Sequence, residues 1–175
     1  MNIGFIALET FVPTEKYKAW SKLFHVKEII SLDCALCPNI IREFEEKDYV
    51  HLKQNEYYFD ISNDLEWLIE KVRGSEDKQI LAVIREPEID CKNSEIDSRF
   101  KFCGYDLVED DTRISALVNC GGFDKAFLPN ELSEYGLIEE FEKAKTVQQL
   151  LMEKYPYEDH AFCTLWGIWR MSVKE

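Results

Sequence analysis

One stretch decides the fold: AFCTLWGIWRMSV, residues 161–173. Side chains alternate between the two faces of a strand, and here both alternating sets are apolar. One set contains Phe162, Trp166 and Ile168, and the other contains Cys163, Leu165, Trp169 and Met171. A strand that is apolar on both faces lies inside a sheet that is covered on both sides. The stretch therefore predicts a central strand, around which the core is built.

A β-hairpin is predicted upstream of this strand. Its first strand covers residues 99–108, where the alternating apolar residues are Phe100, Phe102, Tyr105 and Leu107. The apolar face switches at Cys103 and Gly104, which indicates a β-bulge. A turn at residues 109–112 then leads into a return strand over residues 113–119.

Apolar runs and helical spacing predict the remaining elements. The further strands cover residues 2–8, 56–61 and 79–85. The helices follow Pro13 and Thr14, begin at the capping residue Asn63, and cover residues 137–155. Together these elements predict an α+β fold over residues 1–175, as a single globular domain. The sheet is expected to be mixed or mostly antiparallel, with helices packed on it as a single pair of layers.

The composition is that of a folded protein with a negative surface. The 175 residues include 34 Asp and Glu against 21 Lys and Arg, which gives a formal net charge of −13. Yet 46% of the residues are hydrophobic and 13% are aromatic, a content that disordered chains lack. A net acidic surface repels phosphates, so nucleic acid is disfavoured as a partner.

The sequence predicts neither export nor membrane insertion. The apolar run at residues 2–8 is short and has neither a basic flank nor a small-residue cleavage site. No uncharged apolar stretch approaches the roughly 18 residues that a membrane span needs. We therefore expect a cytoplasmic protein without membrane contact, whose six cysteines are free thiols. The sequence does not predict an oligomeric state.

Acidic residues concentrate between residues 86 and 111. This window holds nine acidic and three basic residues, so it carries −6 of the net charge of −13. One interpretation is a solvated loop followed by a hairpin turn. The other is a surface that attracts a basic protein. For this second interpretation the predicted contact residues are Glu88, Asp90, Glu95, Asp97, Glu109, Asp110 and Asp111.

The carboxylates of Asp106 and residues 109–111 are also a candidate Mg²⁺ or Ca²⁺ site, because both ions prefer oxygen ligands. They lack the alternating ligand spacing and the mid-loop glycine of an EF-hand loop. A hairpin turn in solvent is therefore the favoured interpretation.

A zinc site is the second metal candidate. Cys34 and Cys37, together with His160 and Cys163, would supply three cysteines and one histidine. However, Cys163 falls on the predicted core strand, and nothing in the sequence fixes the two pairs together. The favoured interpretation is that Cys34 and Cys37 are two buried thiols, and no metal is predicted.

The segment Asn119-Cys120-Gly121-Gly122 is the candidate for nucleophilic chemistry. A cysteine at a strand end, followed by glycines with free N–H groups, is arranged like a nucleophile beside an oxyanion hole. His160 is the best-placed base. The alternative is a buried cysteine and a glycine turn. The sequence contains no phosphate-binding loop or dinucleotide motif, so no cofactor is predicted.

Three segments resemble a pattern in small uncharacterised bacterial proteins. They lie within residues 102–107, 115–121 and 155–170, roughly the C-terminal half of the chain. Some of those proteins resemble immunity proteins of polymorphic toxin systems. The resemblance implies a small intracellular binding protein, and it carries over no catalytic residues.

We therefore expect a non-catalytic binding protein, and most specifically an immunity protein that neutralises a basic toxin through an acidic surface. The alternative is a small cysteine-dependent enzyme that uses Cys120 and His160. A structural zinc protein is the third hypothesis.

Overall fold

The sheet is built around the predicted central strand. The computed structural model describes residues 2–53, 59–121 and 123–172. In that part of the chain four strands lie in the order β1-β2-β4-β3, and every neighbouring pair is antiparallel. Their bounds are Gly4–Glu9 for β1, Lys78–Arg85 for β2, Phe100–Val108 for β3 and Thr164–Met171 for β4. Helices pack on this sheet, so the α+β prediction is confirmed.

Strand β4 is central and buried, as predicted. It pairs with β2 on one side and with β3 on the other. Trp166 is 1% exposed and Trp169 is 3% exposed. The ring centroid of Trp166 lies 4.9 Å from that of Phe59, and the centroid of Trp169 lies 5.1 Å from that of Phe102. The two tryptophans therefore anchor the core on both sides of the strand.

Strand β4 is shorter than the predicted stretch. It begins at Thr164, because a turn over residues 156–160 ends with His160 in the left-handed region, at a φ of 68°. Phe162 precedes the strand and is 59% exposed, so its assignment to the core is wrong. Val173 lies outside the described residues.

The β-bulge predicted in β3 is present. The register between β3 and β4 shifts between Phe102 and Gly104. Gly104 has a φ of 142°, and a Cβ at this position would lie 2.9 Å from the backbone oxygen of Ile138. The bulge therefore requires a glycine, both for its backbone conformation and for the close approach of a second segment.

The predicted return strand over residues 113–119 is wrong. Only Ser115 forms a bridge, with Val108 of β3, and residues 116–119 form a turn. Two backbone hydrogen bonds flank this bridge, and the chain then turns, because the Asn119 N–H donates to the Ser115 backbone oxygen at 3.1 Å. The Ser115 N–H points away from β3 and donates to the carboxylate of Asp33 at 2.8 Å. The apolar alternation in this segment reflects burial in a turn rather than strand pairing.

Three α-helices are present among the described residues. Their bounds are Glu15–Ser21 for α1, Leu65–Lys71 for α2 and Phe141–Lys154 for α3, and 3₁₀ helices cover Glu46–His51 and Pro129–Glu131. Helix α3 packs on β3 and β4. Its buried residues are Phe141, Ala144, Val147 and Leu151. It begins later than residue 137 because Ile138 forms a bridge with Tyr105 at the free edge of β3.

The ends of α1 and α2 differ from the prediction in detail. The Thr14 hydroxyl caps α1 as expected, but the helix ends at Ser21, and the exposed Phe24 lies beyond it. Helix α2 is capped by the Asp64 carboxylate rather than by Asn63. Asp and Asn are both good caps, so the sequence could not separate neighbouring candidates.

The predicted strand over residues 56–61 is described only in part, because residues 56–58 lie outside the described residues. Phe59 and Ile61 are not in a strand, although both side chains are buried. Next to them Ser62 exchanges two backbone hydrogen bonds with Phe5 of β1.

Residues 86–99 form a crossover that is mostly exposed, as the solvated-loop interpretation expects, and that is buried at Pro87 and Cys91. Strands β2 and β3 are both antiparallel to β4 and therefore parallel to each other, so their connection must return along the sheet. Cys91 in this crossover is fully buried, and its N–H donates to the Tyr105 hydroxyl at 3.1 Å. A Cβ at Gly167 of β4 would lie 2.5 Å from the Cys91 Sγ. The crossover therefore packs directly on the central strand.

The buried apolar side chains of the four strands and of α3 belong to one core cluster. All six cysteines are free thiols, as expected. Among the described residues no helix has both the length and the apolar character that crossing a membrane requires.

Candidate functional site

A buried carboxylate organises the polar part of the molecule. Asp106, on β3, is 0% exposed, and each of its oxygens accepts two hydrogen bonds. Oδ2 accepts from the Ser31 hydroxyl at 2.5 Å and from the Leu32 N–H at 3.2 Å. Oδ1 accepts from the Ser115 hydroxyl at 2.7 Å and from the Leu107 N–H at 2.9 Å. These bonds join three segments that are distant in sequence.

A second buried carboxylate, Asp33, extends this arrangement. Its Oδ1 accepts the N–H groups of Ala35 and Leu36, both at 2.9 Å, which fixes the local turn. Its Oδ2 accepts the Ser115 N–H, and the Asn119 amide donates to Oδ1 at 3.2 Å. We refer to Ser31, Asp33, Asp106, Ser115 and Asn119 as the carboxylate network.

Burial raises the pKa of Asp106 to about 6. The hydrogen bonds from Ser31 and Ser115 oppose this rise, and the charge of Asp33 adds to it. Desolvation outweighs the hydrogen bonds because a carboxylate in the interior loses the solvation that stabilises its charged form. The proton affinity of this site therefore differs between the folded and unfolded chains.

The candidate Mg²⁺ or Ca²⁺ site is not assembled. Asp106 is enclosed in the carboxylate network, whereas residues 109–111 form a turn that is partly or fully exposed. Within the described ranges no group of three or more His, Cys, Asp or Glu side chains could hold a metal ion.

The four alternative zinc ligands are likewise not grouped. The Cys34 Sγ donates to the Thr112 backbone oxygen at 3.5 Å, and the buried Cys37 Sγ donates to a different backbone oxygen at 3.7 Å. The Cys163 Sγ donates to the backbone oxygen of His160 at 2.9 Å. The thiols are engaged with separate backbone groups, so the described residues contain no three-cysteine, one-histidine centre.

A cavity of about 470 Å³ lies between residues 119–123 and residues 155–160. Its lining includes the side chains of Cys120, Glu158, Asp159 and His160. We call it the acidic cavity. The structure thus places the predicted pair, Cys120 and His160, at one cavity. Gly122 lies outside the described residues.

The turn at the end of β3 orients His160. The Nδ1–H of His160 donates to Glu109 Oε2 at 2.6 Å, and the Thr112 hydroxyl donates to the same oxygen at 2.5 Å. This arrangement joins the turn over residues 109–112 to the turn that precedes β4. Among the described residues no hydrogen bond joins His160 to Cys120.

The environment of Cys120 stabilises the neutral thiol. Burial raises the pKa of Cys120 to about 12, and the charges of Asp33, Glu109 and Asp159 act in the same direction. A cysteine nucleophile needs the opposite environment, because the thiolate is the reactive form. The cavity therefore contains a cysteine and a histidine, the residue types of a nucleophile and its base. The acidic side chains around it, however, create a negative electrostatic field that disfavours the thiolate and favours cations.

Four of the seven predicted contact residues are engaged inside the chain. These are Asp90 with the Tyr105 hydroxyl, Asp97 with Arg99, Glu109 with His160 and Asp110 with Arg85. Glu88, Glu95 and Asp111 are exposed and have no ion pair among the described residues. The acidic residues of the 86–111 window therefore carry much less free charge than their number indicates.

The seven residues also do not share one face. Asp97 precedes the start of β3, and residues 109–111 follow its end, so roughly 27 Å of extended strand separates them. Glu88, Asp90 and Glu95 lie along the crossover between these two ends. The part of the window that meets other acidic residues is the turn at residues 109–111, beside Glu158 and Asp159. No local sequence pattern groups Glu158 and Asp159 with this turn, because they lie about fifty residues further along the chain.

Exposed aromatic residues lie near the acidic cavity. Tyr157, 99% exposed, immediately precedes the lining residue Glu158, and Phe162, 59% exposed, follows His160 by two positions. The Trp20 ring is 55% exposed and lies next to Gly121, whose added Cβ would be 3.8 Å from it. Exposed tryptophan and tyrosine beside a charged concavity are typical of interface anchors.

Comparison of the chain with family models, with curated proteins and with solved structures found no match.

Proposed function

We propose that the chain is a non-catalytic binding protein that neutralises a basic protein, as an immunity protein does, through the surface around the acidic cavity. One observation carries the proposal. The hydrogen bond between His160 and Glu109 joins two turns 51 residues apart, so acidic residues of both turns share one surface. An acidic concavity of this kind complements a basic protein in charge and shape.

The net charge of −13 supports fast encounter with such a partner, because the field of the whole chain adds to the local one. Tyr157 and Phe162 are exposed and flank the lining residues 158–160 in sequence, and the exposed Trp20 lies next to the lining residue Gly121. Charged residues mainly steer association and fix specificity, whereas buried aromatic anchors supply most of the affinity. The surface offers both.

The proposed contact set differs from the one that the sequence predicted. Asp111 is retained because it is exposed in the turn that Glu109 joins to His160, and Glu158 and Asp159 are added because they are exposed and line the acidic cavity. Glu109 and Asp110 are bonded to His160 and Arg85, so they shape the surface rather than offer a free charge. The crossover acids are outside the proposed contact.

Charge reversal tests this proposal. The variant Asp111→Lys/Glu158→Lys/Asp159→Lys is compared with the wild type for association with the basic protein encoded by the adjacent gene. Surface plasmon resonance at about 0.05 M and about 0.5 M salt gives the on-rates, while the Debye length falls from roughly 14 to 4 Å. We expect the reversal to slow association at low salt by at least about tenfold, and to remove most of the salt dependence.

A matched variant controls for total charge. Glu43→Lys/Glu76→Lys/Glu139→Lys changes the net charge equally, at exposed acids with no ion pair among the described residues. We expect it to slow association much less. Equal effects of the two variants, or no binding by the wild type, would contradict the proposal.

A second candidate function is a cysteine-dependent enzyme. It is favoured by the shared cavity of Cys120 and His160, and by the carboxylate of Glu109 on the imidazole Nδ1. A cysteine, a histidine and an orienting acid are the parts of a nucleophilic triad. The raised pKa of the Cys120 thiol opposes this function. The alkylation rate of Cys120 separates the two candidates.

A further inference from the structure

A larger cavity of about 810 Å³ lies at the opposite end of β4 from the acidic cavity. Its walls come from the end of β4, the starts of β2 and β3, and helix α2. We call it the sheet-end cleft. Its volume falls within the roughly 300–1,000 Å³ that is usual for small-molecule sites.

One wall of the sheet-end cleft is apolar. Ile69 of α2, Ile80 of β2, Phe102 of β3 and Met171 of β4 contribute to it. Four separate elements thus present aliphatic or aromatic side chains to one concavity. Such a wall binds an apolar chain or ring by removing both surfaces from water.

The charge of the cleft is opposite to that of the chain. Its charged lining residues are the bases Lys78, Arg99, Lys101 and Arg170 and the acid Glu28. Arg170 is paired with Glu28 at 2.6 Å, and Arg99 is paired with Asp97 and Glu66 outside the cleft. The remaining basic residues of the cleft are Lys78 and Lys101.

Neither lysine is neutralised by a carboxylate in the described part of the chain. Lys78 Nζ donates to the backbone oxygens of Val72 and Ser75, at 3.0 and 2.8 Å, and these oxygens carry no net charge. Lys101 is exposed and has no ion pair among the described residues. Two uncompensated cations therefore lie at one cleft of a chain whose net charge is −13.

A buried amide at the cleft also has an unused hydrogen-bonding atom. Gln79 lines the cleft and is 4% exposed. Its Nε2 donates to the Glu9 backbone oxygen at 3.2 Å, but its Oε1 has no partner among the described residues. An ionised carboxylate has no proton to donate to this acceptor, so an anionic head group would not lie against Gln79 Oε1.

We propose that the sheet-end cleft binds a small amphipathic anion, with its apolar body against the wall that includes Phe102 and Met171 and its carboxylate at Lys78. Side chains alternate along the paired strands, so Lys78 lies on the same face of the sheet as Phe102 and Met171, whereas Lys101 lies on the other face. Alkyl and aromatic carboxylates share this chemistry. The site is independent of the partner surface, because the two cavities lie at opposite ends of the central strand.

Three probes with one alkyl chain and different head groups test the proposal. Octanoate, octanol and octyltrimethylammonium are titrated into the full chain by isothermal titration calorimetry, below their micellar concentrations. We expect octanoate to bind at least about tenfold more tightly than octanol, and the cation to bind most weakly. Equal affinity for octanoate and octanol, or tighter binding of the cation, would overturn the proposal.

Variants locate the site. Lys78→Met should weaken octanoate binding at least about tenfold, whereas Lys16→Met, at an exposed lysine on α1 outside the cleft, should leave it within about twofold. Ile69→Trp should fill the cleft and weaken both octanoate and octanol. Equal effects of Lys78→Met and Lys16→Met would show a general charge effect and overturn the assignment, as would unchanged binding in Ile69→Trp. Circular dichroism confirms that each variant is folded.

Discussion

The sheet and the carboxylate network hold the molecule together by different physics. The sheet centres on Trp166 and Trp169, whose rings are buried in the apolar core cluster. The network centres on Asp33 and Asp106, whose burial is tolerated only because specific donors from distant segments reach their oxygens. A side chain in the apolar region can be replaced by another apolar side chain of similar size. A donor in the polar region cannot be replaced in this way, because an unpaired buried carboxylate is strongly destabilising.

The two regions support different proposed binding sites. The network fixes residues 115–119 against β3, and the next residue, Cys120, lines the acidic cavity. The proposed binding surface therefore depends on the polar region for its shape. The sheet-end cleft, at the other end of β4, depends on the apolar region.

The largest effect is expected in the sheet. Trp169→Ala removes a large side chain that is 3% exposed, so it should lower the free energy of unfolding by about 3–5 kcal/mol. Urea denaturation monitored by far-UV circular dichroism measures the change.

The control for this prediction is Trp20→Ala. Trp20 is 55% exposed, and its removal should change the free energy of unfolding by less than about 1 kcal/mol. Similar losses in the two variants would mean that β4 is not the centre of the core.

A smaller effect is expected in the network. Ser115→Ala removes the hydroxyl that donates to Asp106 and accepts the Leu117 N–H, so it should cost about 1–3 kcal/mol. Ser98→Ala is the matched control at an exposed position in the crossover, with an expected change within about 0.5 kcal/mol. If Ser115→Ala is as neutral as its control in urea denaturation, the network does not hold this region.

These two regions also differ in how far the sequence predicts them. The central strand, the bulge at Gly104 and the stripe of α3 were predicted because alternation and helical spacing are local signals. The predicted return strand over residues 113–119 is wrong because the chain turns after Ser115, whose N–H is held by Asp33 from about eighty residues earlier. No local pattern contains that contact.

The candidate site was predicted only in outline. The pair Cys120 and His160 was identified from residue type, and the structure places both at one cavity. The number of acidic residues between residues 86 and 111 did not identify a binding surface. A count of charges cannot show that Asp97 pairs with Arg99 or that Asp106 is buried. Burial and pairing of charges depend on the tertiary fold.

The smallest effect is expected at the Cys120 thiol. With a pKa of about 12 the thiolate is scarce at neutral pH, so iodoacetamide should alkylate Cys120 at least about a hundredfold more slowly than free cysteine at pH 7.5. Peptide mass spectrometry assigns the modified position, and Cys120→Ser supplies the blank. Alkylation faster than that of free cysteine would favour the enzyme.

The pH dependence of stability tests most directly whether a buried carboxylate holds the polar region. The pKa of Asp106 is raised from 3.8 to about 6 in the folded chain, so between these values the folded chain binds a proton that the unfolded chain does not. The stabilisation from this proton is present at low pH and is lost as the pH rises through about 6. Asp106→Asn cannot titrate and serves as the reference.

Urea denaturation of the wild type and of Asp106→Asn, at pH 4.5 and at pH 7.5, gives the four free energies of unfolding. We expect the wild type to gain about 2 kcal/mol relative to Asp106→Asn between pH 7.5 and pH 4.5. A difference between the two proteins that stays constant with pH, or that shrinks on acidification, would contradict the account.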